Sequence, residues 1–127
     1  MCNACTVLIT SSIPTGHIRV FDSIYDDTST DTINQICCIV RSKRSKIKID
    51  IMDVCKQKGT NDCGLYALAN ATVLCEGELP QLKNYVQEDM RPHLQECLKN
   101  CTPYPFPSNH RDKHCDDIKK TKLVSLH

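Results

Sequence analysis

Residues 63–75, Cys-Gly-Leu-Tyr-Ala-Leu-Ala-Asn-Ala-Thr-Val-Leu-Cys, carry no charge, and the first ionised side chain comes only at Glu76. That run limits the fold more than any other, because a helix apolar all round needs cover all round. Its pattern predicts a buried helix, with Gly77 placed to end it. Just before it, the turn-forming residues Gly59-Thr60-Asn61-Asp62 deliver Cys63 to the first helical position. Peptide N–H groups at a helix start lack acceptors and carry positive partial charge, so sulfur placed there is favoured as thiolate. Upstream stands Gln57, whose side-chain amide suits an oxyanion formed beside that sulfur. The plainer alternative is a small buried cysteine opening a helix, with Gln57 a solvated loop amide.

The elements around this loop point to an α+β chain. Cys5–Thr10 and His17–Asp22 are β-rich runs separated by Ser-Ser-Ile-Pro-Thr-Gly, which predicts a hairpin. Ile33, Ile36, Cys37 and Val40 recur at helical spacing, so residues 31–42 read as an amphipathic helix capped by Thr30 or Asp31. Ile47, Ile49 and Ile51 alternate with Lys48, Asp50 and Met52, the mark of a half-buried strand. Residues 80–100 read as one or two helices, with Asp89 as a cap and Pro92 in the first turn of the second. Pro103, Pro105 and Pro107 end regular structure, and residues 108–127 read as a polar tail.

Composition narrows the function classes. Sixteen Lys and Arg against fifteen Asp and Glu leave no global field to draw nucleic acid or membrane. No stretch reaches the roughly 18–20 apolar residues of a membrane helix. Ten cysteines would suit a disulfide framework, yet residues 1–20 show no secretory pattern. The expectation is therefore a reduced, intracellular chain, cytoplasmic or nuclear, and monomeric. Cys97 and Cys101 with His110, His114 and Cys115 offer soft ligands, but their spacing fits no tight zinc pattern, so no metal or other cofactor is expected. Arg41, Lys43, Arg44, Lys46 and Lys48 read as a solvated basic connector, and His17 as a surface turn histidine.

The order of hairpin with Phe21-Asp22-Ser23, helix, strand and then Gln57-x5-Cys63-Gly64 opening a helix resembles the ubiquitin-like-protein-specific cysteine proteases (the SUMO/NEDD8-deconjugating, adenain-like clan). The likeness is greatest to copies associated with DNA transposons. Asn84-Tyr85-Val86-Gln87-Glu88-Asp89-Met90-Arg91 matches their closing helix, and the likeness spans about residues 3–107. It implies a papain-like half-domain, the C-terminal portion of a longer fold, with a small sheet packed on the helix that starts at Cys63. It also implies Cys63 as nucleophile, Gln57 as oxyanion donor and Asp22 as the residue orienting a histidine base. The base position is Ala4 here, and the tryptophan that shields the modifier's Gly-Gly tail is Cys5. His17 sits at the far end of its strand from Asp22, a poor place for a substitute base. The implied partner is a ubiquitin-like modifier or its conjugates, met by a peptidase fold with little or no turnover. The alternative is a non-catalytic module that binds such a modifier or a transposon partner.

Overall fold

The computed structural model describes residues 8–12, 17–39, 46–112 and 118–125. They form a small α+β fold. Strand β1 (Leu8–Ser12) pairs antiparallel with β2 (His17–Phe21), from Leu8 opposite Phe21 to Ser12 opposite His17. Helix α1 (Thr30–Ile39) then carries the chain over to β3 (Lys46–Met52), which runs parallel to β2. Helix α2 (Cys63–Cys75) follows the long loop after β3. A single 3-10 turn (Pro80–Leu82) leads into β4 (Lys83–Tyr85) and helix α3 (Gln87–Lys99). Strand β5 (Ser108–His110) pairs with β4, and β6 (Ile118–Ser125) adds antiparallel to β3, giving the main sheet the order β1-β2-β3-β6.

Alternation along the strands divides the core in two. Ile18, Val20, Ile47, Ile49 and Ile51 point to one face, where Ile36 buries and Ile33 and Cys37 pack beside it. Each such isoleucine contributes about 1.5–3 kcal/mol by leaving water, which is what holds α1 on the sheet. On the opposite face Phe21 and Met52 meet Val54 and Leu74, so the C-terminal half of α2 covers that end. A separate cluster of Leu65, Tyr66, Ala69, Val73, Tyr85, Met90 and Phe106 joins α2 to α3 and the β4–β5 ribbon. Tyr66 and Tyr85 meet edge to face at 5.6 Å, and the Tyr85 hydroxyl donates to buried Asn70 at 2.7 Å.

Several local expectations change. Ser29, not Thr30 or Asp31, caps α1: its hydroxyl accepts the Thr32 N–H at 3.2 Å. Pro92 lies inside α3 rather than in its first turn, because the helix starts at Gln87 and not after Asp89. Complete cover of α2 is also corrected, since Gly64, Leu68 and Cys75 are exposed, Leu68 by 43%. Residues 108–127 are no plain tail, because they contribute β5 and β6. An edge strand buries little, so its sequence stays polar. β6 is held by the backbone ladder, by Val124 on the isoleucine core, and by Lys120 and Lys122 pairing with Asp27. His17 is no free turn histidine, for its Nε2 contacts the buried Asp50 carboxylate.

At the end of α2, Gly77 takes φ +76 while its N–H and that of Glu78 return to Leu74 and Val73, the stop expected from sequence. α3 ends in the same motif, but with Cys101 at φ +52 in the position glycine normally fills. No helix among the described residues is long and apolar enough to cross a membrane.

Candidate functional site

The loop from Val54 to Asp62 leaves β3 and turns back to begin α2, so it passes the C-terminal end of β2. Two bonds join them: the Gln57 N–H donates to the Ser23 carbonyl at 2.9 Å, and the Ser23 hydroxyl donates to Gln57 Oε1. Ser23 is almost fully buried, so this link fixes the Gln57 side chain against the residue next to Asp22. Gln57 Nε2 donates to the Gly59 carbonyl at 3.1 Å, which curls the amide over its own loop. Lys56 adds a third tie, donating to the carbonyls of Asp22 at 2.8 Å and Tyr25 at 3.0 Å. The structure therefore sets Gln57 beside Asp22, while Cys63 follows six residues further along the same loop. Asp22 leaves β2, Gln57 is bonded beside it, and Cys63 ends the same loop at the start of α2.

Among the described residues, the contacts of Asp22 and Cys63 include those of a turn and a loop end. Asp22 is buried, and its Oδ1 accepts the N–H groups of Ile24 at 2.8 Å and Tyr25 at 3.1 Å. That is the turn-capping job of an aspartate at a strand end. Cys63 is only 5% exposed, and its sulfur lies 3.6 Å from the Thr60 carbonyl. Ala4 and Cys5 lie outside the described residues, although α2 runs alongside β1, the strand that follows them. The described imidazoles near other groups are committed elsewhere, His17 to Asp50 and His93 to the Tyr104 carbonyl at 3.0 Å.

Three contributors escaped the sequence reading: Ser23, Gln87 and Arg91. Ser23 enters the sequence reading only as part of the Phe21-Asp22-Ser23 segment, with no role of its own. Gln87 and Arg91 sat in the helix segment that carried the family likeness, which was the one available signal. Gln87 bonds the backbone of Lys58 and the carboxylate of Asp62, and Arg91 pairs with Asp62. Burial pushes the phenol of Tyr66 up, with Cys55, Asp62 and Glu88 adding to it, so Tyr66 stays a donor to Gln87.

As for metals, no three His, Cys, Asp or Glu side chains gather among the described residues, and His114 and Cys115 lie outside them. Cys97 instead has His93 Nε2 at 3.4 Å. The described cysteines are thiols rather than disulfides. Of the basic run, Lys46 and Lys48 are exposed on β3, while Arg41, Lys43 and Arg44 fall outside the described residues. No family model, curated protein or solved structure matches this chain.

Proposed function

We propose that this chain is a cysteine-peptidase-like domain of the papain-like, adenain-like kind, related to the proteases that cleave ubiquitin-like modifiers. The observation that carries the reading is the double link between Ser23 and Gln57. It holds the Asp22 segment against the loop that ends in Cys63 at the mouth of α2. In a complete site of this design, the Cys63 thiolate attacks the carbonyl carbon of the modifier's C-terminal glycine; the peptide or isopeptide C–N bond then breaks, the amine leaves with a proton from the base, and the glycine is left as a thioester on Cys63. The Gln57 amide and N–H groups at the start of α2 then steady the oxyanion. Asp22 orients the base that shuttles the proton. With Ala4 in the base position, that last step has no agent in this motif. Loss of a general base typically costs roughly 10²–10⁴-fold, so turnover by the chain as it stands is negligible.

The test is release of a fluorophore from the C-terminal glycine of a SUMO-type modifier. The native chain releases none above background. Ala4→His with Cys5→Trp gains slow release that Cys63→Ser abolishes. Silence of that double variant, both in release and in capture of a thiol-directed modifier probe, defeats the reading.

The burial of Cys63 favours a second reading, a binding module that retains the fold without the chemistry. Its sign is modifier binding with the same affinity in Cys63→Ala as in the native chain.

A further inference from the structure

The loop joining Gln57 to Cys63 is held from two sides, and α3 provides the second. The Gln87 amide lies against the Lys58 peptide: Oε1 accepts the Lys58 N–H at 2.7 Å, and Nε2 donates to the Lys58 carbonyl at 2.9 Å. The Tyr66 hydroxyl donates to the same Oε1 at 3.1 Å, and Nε2 also donates to Asp62 Oδ2 at 2.9 Å. A primary amide has two acceptor positions and two donor hydrogens, so every one of Gln87's is in use. One turn further on, Arg91 donates to the Asn61 carbonyl at 3.2 Å and to Asp62 Oδ1.

This matters most for Asp62. An aspartate in the residue before a helix normally folds its carboxylate over the helix end and accepts an N–H from the first turn. Asp62 occupies that place with φ −113 and ψ 20, yet makes no capping bond. Its two oxygens are taken instead by Gln87 and Arg91. Folded over the helix end, the carboxylate would stand beside Cys63, offset the positive end of α2 and repel any anion formed there.

We propose that Gln87 and Arg91 are positioning residues of the Cys63 site. They draw the Asp62 carboxylate aside and keep the start of α2 available to sulfur and to the oxyanion of a bound carbonyl. The purpose rests on the peptidase-like reading, but the effect on Cys63 does not. Among the described residues, the charged and titratable groups bordering the loop are Asp22 and Asp26 from the segment after β2, Cys55, Lys56, Lys58 and Asp62 within it, and Tyr66, Glu88 and Arg91 from the helices. Asp62 alone is adjacent to Cys63 in the chain.

The experiment measures alkylation of Cys63 by iodoacetamide in the full chain, followed by mass spectrometry of the Cys63 peptide. The readout is the rate near pH 7 divided by the rate near pH 10, where thiols are largely ionised. Arg91→Ala and Gln87→Leu each lower that ratio severalfold, and together about tenfold, by loosening the hold on a like charge next to the sulfur. Asp62→Asn leaves the ratio unchanged, and Arg91→Ala combined with Asp62→Asn restores it. A merely structural role would alter access, changing both rates together, and removing the Asp62 charge would not reverse it. Arg91 is largely exposed, so its loss leaves the fold intact and keeps the test open even where Gln87→Leu unfolds. A ratio unmoved by Arg91→Ala, or a fall that Asp62→Asn does not reverse, overturns the proposal. Failure of the peptidase reading looks different: the restored variant is silent while these ratio effects persist.

Discussion

Replacing His17 by alanine tests what stabilises the buried Asp50 carboxylate between β2 and β6. Asp50 sits in mid-strand, 1% exposed, with His17 Nε2 on one carboxylate oxygen and the Thr121 hydroxyl on the other at 2.8 Å. Burial pushes the Asp50 carboxyl up, but the hydrogen bonds from His17 and Thr121, with the charges of His17 and Lys48, outweigh it and leave it below its ordinary value. A hydrogen bond to a charged group is worth about 1.5–3 kcal/mol. Breaking a fully buried ion pair costs about 3–5 kcal/mol. The His17 side chain is 29% exposed, so water partly replaces it and the lower range applies. His17→Ala is expected to cost about 2 kcal/mol near pH 7, which for a chain of this size lowers Tm by about 6–10 °C. Adding Asp50→Asn removes the stranded charge and recovers about 1 kcal/mol.

The pH dependence has a definite sign. A carboxyl with a lowered folded value stabilises above its unfolded value and loses that stabilisation as pH falls through the folded value. The gap between native chain and His17→Ala is therefore full near neutrality and closes in acid, below about pH 4. Urea unfolding followed by circular dichroism, at a series of pH values, measures it. A cost under about 0.5 kcal/mol near pH 7, or a gap that stays constant into strong acid, refutes the argument.

Two further outcomes follow from backbone and burial. Cys101→Gly stabilises the protein by about 1 kcal/mol in urea unfolding, because φ +52 strains any residue with a Cβ, whereas Gly77→Ala at φ +76 costs about as much. Tyr85→Phe costs about 1–3 kcal/mol, since it strands the Asn70 carbonyl in a place 1% exposed; a loss under about 0.5 kcal/mol would show that water reaches Asn70.

Much of the fold is legible in the order of residues, because it rests on local periodicity. The alternation of Ile47, Ile49 and Ile51, the spacing of Ile33 and Ile36, and the unbroken apolar run before Gly77 each specify an element without help from the rest. Cys63 at a helix start is equally local, since the turn residues and the helix adjoin it in sequence. Contacts across the fold leave no such trace. The Ser23 hydroxyl on Gln57, the Gln87 amide on Lys58 and the His17 imidazole on Asp50 each join residues about thirty positions apart. Composition misleads most at β6, a strand made by pairing its backbone with β3 rather than by burying its own side chains. Where chemistry is set by neighbours in the chain, the residues declare it. Where a carboxylate is turned aside or a strand is added at an edge, only packing decides, because the partner comes from elsewhere in the molecule.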